Sequence, residues 1–438
     1  MKHLIYLFTL SAVFVFTCNA GAQQQTSTVS LSLKQAQEYA AQNNRTIVNS
    51  KVDVEIAKKK IWETEAMGLP QISGAASYQH IWSVPIVEFP LGNGKYMEIP
   101  LALENNATYS ATVSQLLFSG SYLVGLQATK VFALMNQQSL EKSQLDVKES
   151  VANSYFLALS LEEYRKTLQS NIESLEKTKN EMEKMNEQGF TENTDVDQIQ
   201  LTYNAVNTGL SSMNRQIENV YNLLKLQLAL PLETPLVLTD KFEEIFSQIN
   251  LESVVEQKFN ITNNLDYNLL LTQEKIARLN IKLDQSSFLP TLACYYMHQG
   301  LFKTPVFNTT HPDVAGATLN VPIFSSGQRN VKVQQRKMEL NKVLTTKLQV
   351  EESLNLTLLS LKNDLRSTYE KYLNEKNSME LASRIYEKTL VKYKEGVSSS
   401  LDLTTAQNQY LAAQDNYFTS IYNVMQAKLK LDKIMNTL

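Results

Sequence analysis

The sequence has little of what metal and nucleic-acid binding require. It contains two cysteines, Cys18 and Cys294, and four histidines, none of which form an i, i+4 pair. This excludes a disulfide framework and a thiolate or paired-imidazole metal site. The 41 Lys and Arg residues are matched by 44 Asp and Glu residues, so no positive excess is available to hold a phosphate backbone. We therefore expect no metal, no other cofactor and no nucleic-acid partner.

Long hydrophobic runs are also missing beyond the N-terminus, because no later stretch approaches the roughly 20 residues of a transmembrane helix. Residues 4–16 form a short apolar run, and Ala-Gly-Ala follows at 20–22. This pattern predicts a signal peptide over residues 1–22. Cys18 leaves a lipidated N-terminus as an alternative, but Phe16 and Thr17 match such a site poorly. We expect an exported protein that is soluble or enters a membrane through strands.

The rest of the chain contains an internal repeat. The matching residues are Asn43, Asn44, Ile56, Ala57, Leu69 and Pro70 with Asn263, Asn264, Ile276, Ala277, Leu289 and Pro290, then Gly189, Asp195 and Gln200 with Gly396, Asp402 and Gln407. Residues 23–230 are predicted to form the first unit and residues 261–438 the second. Pro231 and Pro235 interrupt the chain between them, which predicts a connector over residues 231–260.

Each unit is predicted to begin with a helix. Ser32 and Gln35 have the spacing of a capping box, which opens a predicted helix that runs to Met67. Its counterpart in the second unit is predicted for residues 265–287.

Two much longer helices are predicted for residues 121–188 and 327–394, which contain no proline. Apolar residues recur there every seven positions, at Leu161, Leu168, Leu175 and Met182 and at Leu358, Leu365, Tyr372, Met379, Tyr386 and Tyr393. At 1.5 Å per residue each helix is about 100 Å long. Helices of this length predict antiparallel coiled-coil rods rather than a globular domain.

Four strands are predicted near residues 70–83, 106–118, 290–302 and 313–324, where apolar and polar residues alternate. Such strands suit a bilayer-spanning barrel, although a soluble hairpin buried on one face gives the same pattern. Four strands cannot close alone, so a membrane barrel would have to be shared between chains. The first unit carries an extra segment within residues 71–110. In such a barrel the loops at 83–104 and 303–313 would cap the outer mouth as a lid or contact surface, and the equal alternative is that they are passive turns.

At the junctions between helices and strands the sequence resembles the TolC-type outer membrane efflux protein family. The residues concerned are Pro70, Phe118, Gly120, Pro290, Pro322, Phe324 and Gly327, together with Leu33, Ala36 and Ala40 in the first helix and the two tips that carry Gly189 and Gly396. The resemblance covers residues 30–436. It implies a mostly α fold with a small β part, in which two tandem helix-strand-strand-helix repeats form an α-barrel. It also implies a homotrimer in which four strands per chain build a shared 12-stranded transmembrane β-barrel.

The resemblance further implies roles for residues at the helix tips. Tyr393 and Asp195 would be partners in a network that closes the periplasmic aperture, and Asp402 would stand in a constriction ring. Ser398 occupies a position where the family often has a closing arginine, and Thr405 replaces a second acidic residue. The alternative is that both tips are simple turns, in which glycine ends one helix and aspartate caps the next.

The function that the resemblance implies is passive transport. The protein would be the exit duct of an efflux or type I secretion system, fed by an inner-membrane pump and a periplasmic adaptor protein and surrounded by outer membrane lipid. No nucleophile elbow, phosphate loop or carboxylate pair points to an enzyme. The alternative is an exported coiled-coil adaptor or scaffold, which the tandem repeat disfavours because an adaptor would carry one helical hairpin. Drug efflux, metal export and protein secretion stay open.

Overall fold

The computed structural model describes residues 28–92, 94–247, 251–304, 308 and 310–438. The predicted signal peptide, with Cys18, lies outside these residues, as does part of the predicted 303–313 loop. Most of the described chain is helical, with a smaller share of strands. None of the helices in this part of the chain combines the length and the apolar character needed to cross a membrane.

The elements follow one another in two similar series. The first comprises β1 (Val29–Leu31), α1 (Leu33–Asn43), α2 (Arg45–Ala66), β2 (Gln71–His80), β3 (Ile86–Gly92), β4 (Lys95–Pro100), β5 (Asn105–Ser119), α3 (Gly120–Glu187) and α4 (Asn193–Leu228). A connecting stretch holds β6 (Leu236–Leu238), α5 (Phe242–Ser247) and α6 (Leu251–Glu256). The second series comprises α7 (Leu265–Ser286), β7 (Thr291–Leu301), β8 (Asp313–Asn320), α8 (Gln328–Lys394) and α9 (Ser400–Met435).

The two long helices bury the apolar stripes that their seven-residue spacing predicts. In α3 the side chains of Leu168, Leu175 and Met182 are buried, and in α8 those of Leu365 and Tyr372 are buried. These stripes pack α3 against α4 and α8 against α9 as antiparallel pairs. Side chains that recur every seven residues stay on one side of a helix, so the pairs remain in contact along their length.

Two larger hydrophobic cores lie along the rods, and a smaller one joins Ile47 and Val54 of α2 to Leu140 of α3. The first, which we call the waist core, includes Ala36, Ala40, Tyr155, Leu224, Leu365 and Met425. The second, the tip core, includes Leu175, Met182, Ile199, Tyr386, Tyr393 and Leu403. At the waist, β1 pairs with β6 in parallel, and the Asp240 carboxylate accepts hydrogen bonds from the Tyr155 hydroxyl at 2.9 Å and the Leu33 amide at 2.6 Å. The connector is therefore fixed to the rods.

The helix predicted for residues 32–67 is interrupted at Asn44, so the prediction of one continuous helix is wrong. Asn44 has an extended ψ of 132° and caps α2 by accepting a hydrogen bond from Thr46. Its side-chain amide donates to the Gln227 carbonyl at 2.7 Å, at the end of α4. Asn264 repeats the arrangement, because it caps α7 and donates to the Ile434 carbonyl near the end of α9. The repeated asparagines thus join the starts and ends of the helices at the waist.

Strands β2, β5, β7 and β8 form one antiparallel sheet in that order. Register places Ile72 opposite Val113 and Ala76 opposite Tyr109, so these apolar residues share one face. The strand predicted for 313–324 ends at Asn320. The prediction was too long because Pro322 has no amide hydrogen to extend the ladder.

The extra first-half segment is not the irregular loop that the sequence predicts for residues 83–104. It contains β3 and β4, which pair with each other in an antiparallel hairpin. Prolines 90 and 100 lie within this hairpin, and such residues normally argue against a strand. They are tolerated here because both strands have free edges in the described structure.

The helices repeat the side-by-side order of the strands. Next to the sheet, α2 packs on α3, α3 on α7, and α7 on α8. Beyond the waist, α4 packs on α3, α3 on α9, and α9 on α8. In the sheet, the two outer strands are β2 from the first unit and β8 from the second. In the helical layer next to the sheet the outer helices are α2 and α8, and beyond the waist they are α4 and α8.

Candidate functional site at the helix tips

The two rods end in tips of the same construction. After α3, Gly189 has a φ of +76°, and after α8, Gly396 has a φ of +72°. The next amide in each tip bonds back to a carbonyl five residues earlier, Phe190 to Met185 and Val397 to Lys392, both at 2.8 Å. This is the Schellman arrangement, which needs a left-handed residue that only glycine adopts without strain. Both glycines are thus required by the turn.

Asp195 and Asp402 cap the helices that follow the tips. The Asp195 carboxylate accepts the Glu192 amide at 3.4 Å, and the Asp402 carboxylate accepts the Ser399 amide at 3.2 Å. Ser399 in turn accepts the Asp402 amide through its hydroxyl, which completes a capping box. The local structure therefore agrees with the alternative in which both tips are simple turns. Any further role of Asp195 or Asp402 must leave the start of its helix intact.

The environment of Asp402 favours its charged form. Its carboxylate accepts hydrogen bonds from the hydroxyls of Ser399 at 2.7 Å and Ser398 at 3.2 Å. These bonds, led by the Ser399 hydroxyl, lower the pKa of Asp402. Thr405 is exposed and lies about one turn further along α9, so that position supplies no second carboxylate. Ser398 acts as a hydrogen-bond donor to Asp402.

Two polar contacts join the tips to each other. The Ser400 hydroxyl donates to the Asp195 carboxylate, and the Lys394 ammonium lies 2.7 Å from the Glu181 carboxylate. Ser400 is buried, whereas Lys394 and Glu181 are about half exposed. The exposed ion pair contributes little because water screens it. The Ser400–Asp195 contact is therefore the main polar connection between the two tips.

Tyr393 lies beside Asp195 without bonding to it. Its side chain belongs to the tip core and is 7% exposed, and its hydroxyl has no hydrogen-bond partner among the described residues. Burial, and after it the Asp195 charge, raise the pKa of this hydroxyl. Within one chain Asp195 thus bonds to Ser400 rather than to the predicted partner Tyr393. The sequence contains no local signal for this bond, because Ser400 and Asp195 are 205 positions apart.

At the opposite end of the rods, the predicted junction residues lie where helices and strands meet. Pro70 and Pro290 each precede a strand, and Phe118 lies at a register shift in β5. Gly120 starts α3 against α7, where an added Cβ would lie 2.6 Å from Leu289 Cδ1. Pro322 and Phe324 lie in an irregular segment between β8 and α8, and Gly327 precedes α8 with a φ of +79°.

Comparison with solved structures shows the same fold at low sequence identity. CusC, described in terms of transmembrane channel formation, is 15% identical with a TM-score of 0.74, over 95% of this chain and 94% of CusC. The outer membrane protein VceC of Vibrio cholerae is 14% identical with a TM-score of 0.71, over 92% and 95%. The MtrE outer membrane channel of Neisseria gonorrhoeae, solved in its open state, is 15% identical with a TM-score of 0.69, over 92% and 88%.

No curated protein sequence matches the chain. The sequence profile of the outer membrane efflux protein family matches it at residues 36–229 and 270–437. The first stretch lies within the predicted unit 23–230 and the second within the predicted unit 261–438, and the whole predicted connector, residues 231–260, is left out. Since the match covers well over half of the sequence and agrees with the fold, the chain belongs to the outer membrane efflux protein family.

Proposed function

We propose that the protein is a passive exit channel of the outer membrane. Three copies form a homotrimer in which four strands per chain build a shared 12-stranded transmembrane barrel, and the rods form an α-helical tunnel through the periplasm. A periplasmic adaptor and an inner-membrane pump deliver the substrate. The two repeat units, residues 23–230 and 261–438, are the halves of each protomer, and residues 231–260 form a belt at the waist.

The observation that carries this proposal is that the sheet and both helical layers are open on the same two sides. Strands β2 and β8 each have one unpaired edge in the described structure, and unpaired backbone groups in hydrocarbon cost several kcal/mol each. Below the sheet, α2 exposes Val48, Val52 and Ile56, and α8 exposes Val331, Met338 and Leu348. Apolar residues exposed in such stripes favour contact with a partner.

The two open sides of the chain consist of different elements, and this difference determines how copies of the chain can contact each other. A contact between the β2 and α2 side of one copy and the β8 and α8 side of the next is head to tail. Such contacts close into a ring when the rotation per copy permits. A ring of three copies contains three times four strands, which matches the 12-stranded barrel. An adaptor or scaffold would have no need for this open sheet.

At the periplasmic end of the tunnel, the tips would form the aperture. Each copy contributes Asp402, held in its charged form by Ser398 and Ser399. Carboxylates repeated around an axis concentrate negative potential and attract cations. Asp195, Tyr393 and Thr405 complete the proposed aperture, in which the Ser400–Asp195 bond connects the two tips of each protomer.

The native mass of the detergent-extracted protein tests the assembly. We expect a species of three mature chains that resists extraction by salt and changes gel mobility on boiling. The variant Ile56→Lys should lose the trimer, because it places a charge in the proposed seam where Ile56 is 60% exposed. Lys58→Glu, which changes a charge at a comparably exposed position on the opposite side of α2 from Ile56, serves as the matched control and should keep the trimer. A monomer that salt or osmotic shock releases would refute the channel and favour the scaffold.

A further inference from the structure

Asp313, at the end of β8 that is remote from the rods, has a carboxylate of which only one oxygen is bonded. Its Oδ1 atom accepts hydrogen bonds from the Tyr296 hydroxyl at 2.7 Å and from Nδ1 of His298 at 2.8 Å. Its Oδ2 atom has no partner among the described residues, and 55% of the side chain is exposed. Since β8 is an edge strand of the sheet, this oxygen is available to a group on another copy.

His80 lies at the same end of the other edge strand, β2, and has a free ring nitrogen. Its Nδ1 atom is 2.9 Å from Oδ1 of Asn105, which also accepts the Tyr78 hydroxyl at 2.7 Å. Because an amide oxygen only accepts, Nδ1 carries the hydrogen of this bond. The neutral ring then has no hydrogen on Nε2, whereas both nitrogens of the protonated ring donate. His80 therefore offers Nε2 as a donor only when the ring is charged.

The internal repeat relates the four strands of the sheet to one another. Strand β2 matches β7 at an offset of 220 residues, which is the spacing of Pro70 and Pro290. Strand β5 matches β8 at an offset of 206 residues, which is the spacing of Ala111 and Ala317. Each pairing between two strands can therefore be converted into the pairing between their equivalents.

The offsets reproduce a register that is observed inside the chain. Applied to the pair of Gln71 with Ser114 in β2 and β5, they give Thr291 with Asn320, which is the pair found in β7 and β8. The contact between the two units, β5 with β7, can be converted in the same way. Its equivalent is β8 of one copy with β2 of the next, at the seam between them.

The converted register brings His80 close to Asp313. Tyr109 lies opposite Gly300 in the pairing of β5 with β7, which places Ala315 of one copy opposite His80 of the next. Asp313 is two positions from Ala315 and so points to the same face. His80 is then its diagonal neighbour, at about 7–8 Å, a separation that aromatic side chains can bridge.

We propose that protonated His80 of one copy donates its Nε2 hydrogen to Oδ2 of Asp313 in the adjacent copy, at the outer end of each seam of the trimer. Three such bonds join the three copies. Because the bond needs the proton, the stability that it adds to the trimer is present at acidic pH and is lost as pH rises through the imidazole range, about pH 6.5 for a free ring. This inference rests on the proposed trimer, since every bond connects two chains.

Several ionisable groups would surround His80 in the trimer. They are Tyr78 on its own strand, Glu104 just before β5, Asp313 on β8 of the adjacent copy, and Tyr296 and His298 on β7 of that copy. Glu104 belongs to the same chain as His80, so its charge is present in a monomer and does not join copies. His298 bonds to Oδ1 of Asp313, which leaves Oδ2 for His80.

Cysteine pairs test the register at the seam. In a Cys294→Ala background, the pair Leu319→Cys with Ala76→Cys occupies directly opposite positions, since it is the equivalent of Val113 with Tyr296. Disulfides form when the Cβ atoms come within about 4.5 Å, so we expect covalent dimers and trimers on oxidation. The two positions lie on opposite edges of one chain's sheet, which excludes a link within a chain.

The matched control is Leu319→Cys with Tyr78→Cys, two positions away on the same face, which should not cross-link. Thr318→Cys with Ser77→Cys repeats the measurement on the other face, should the first pair prevent assembly. A trimer that cross-links through Tyr78 instead of Ala76 has a register shifted by two residues and overturns the contact.

The temperature at which the detergent-extracted trimer dissociates, followed by its native mass, tests the bond itself. We expect wild-type trimer to dissociate at a higher temperature at about pH 5.5 than at about pH 8. His80→Ala and Asp313→Asn should each lose this shift, and the double variant should lose no more, because both remove the same bond. His311→Ala, which removes an exposed histidine near the same end of the sheet, is the control and should keep the shift.

The outcomes separate this contact from the trimer. An intact trimer whose His80→Ala variant keeps the wild-type shift overturns the contact, while the channel proposal stands. A shift that is lost in His298→Ala and kept in His80→Ala would place the pH-sensitive bond inside the chain and also overturn the contact. A monomer overturns both proposals.

Discussion

At the scale of single residues, the acidic side chains of the tips have two tasks at once. Asp195 and Asp402 each accept the amide of the residue three positions earlier and so hold the start of a helix. In the proposed channel the same carboxylates supply negative charge at the aperture. A substitution that removes the charge also weakens the cap, unless the new side chain can still accept the amide.

Asparagine at position 402 separates the two tasks. Asp402→Asn keeps an oxygen that can accept the Ser399 amide from the third helical position of the capping box. We expect both Asp402→Asn and Asp402→Ala to reduce cation preference, measured as the reversal potential in a salt gradient across a planar bilayer. Thermal stability should fall more for the alanine variant than for the asparagine variant, because only alanine removes the acceptor of the Ser399 amide. Unchanged selectivity in both variants would contradict a role of Asp402 in the aperture.

The pH dependence of selectivity follows from the same carboxylate. Hydrogen bonds from Ser399 lower the pKa of Asp402, so its charge, and the capping contribution of the charged form, persist above the folded-state pKa and are lost only as pH falls through it. Because a free aspartate titrates near pH 3.9, cation preference should be retained at pH 5 and disappear only below about pH 4. Loss of selectivity between pH 7 and pH 5 would show that another group controls it.

The contact between Ser400 and Asp195 makes a separate prediction about opening. Ser400→Ala removes the hydroxyl that joins the tips, and we expect a higher open fraction and larger mean conductance. Gln409→Ala, at an exposed position of the same helix that has no part in the proposed aperture, is the control and should behave like the wild type. Tyr393→Phe tests the family-based hypothesis, because its hydroxyl bonds to nothing described within the chain. An increase for Tyr393→Phe without one for Ser400→Ala would assign closure to Tyr393 in a contact between copies.

At the scale of elements, the repeated asparagines at the waist connect helices that are far apart in sequence. Asn44 caps α2 and holds the end of α4, and Asn264 caps α7 and holds the end of α9. Each side chain therefore fixes two helix ends at once. The duplicated sequence has kept this contact in both halves of the chain.

Removing either asparagine should destabilise the waist. Asn44→Ala and Asn264→Ala each lose a cap and a hydrogen bond to a helix end, for a cost of about 1–2 kcal/mol. The neighbouring Asn43→Ala is the control, because Asn43 is exposed and bonds only within its own helix. Thermal unfolding followed by circular dichroism should show a lower midpoint for the first two variants. An equal midpoint for Asn43→Ala and Asn44→Ala would contradict the role of the cap.

The sequence predicts elements well where one periodicity persists over many residues. The spacing of Leu168, Leu175 and Met182 is enough to predict α3, because a stripe of that length has no other structural interpretation. The interruption at Asn44 was not predicted, since asparagine is only a weak helix breaker and its bond to Gln227 depends on the fold. The hairpin of β3 and β4 was not predicted because Pro90 and Pro100 argue against strands.

In the candidate site, too, the residues that follow local patterns were predicted and the contact between distant segments was not. Gly189 and Gly396 and the two aspartates were predicted from local turn and cap patterns, which depend only on neighbouring residues. The bond between Ser400 and Asp195 joins two hairpins, and no local pattern encodes it. Contacts between distant segments are set by how the rods pack, and that information is spread over the whole waist core and tip core.

At the scale of the whole molecule, one chain forms a layer of strands and helices that is open on two sides. Its sheet and both helical layers have the same order and the same two open sides. The first-half side and the second-half side are chemically different surfaces, so a copy cannot use one of them twice. In the proposed ring, assembly would therefore depend on both halves of each chain being intact.

The difference between the two sides has a genetic consequence. In the proposed trimer, a damaged chain that keeps one side and loses the other could still join intact neighbours, but it would stop the ring from closing. In an equal mixture of intact and damaged chains, only about one assembly in eight would contain three intact copies. Alleles that disrupt only one of the two contact surfaces would thus act dominantly. Alleles that unfold the whole chain would be recessive, because their products never reach a partner.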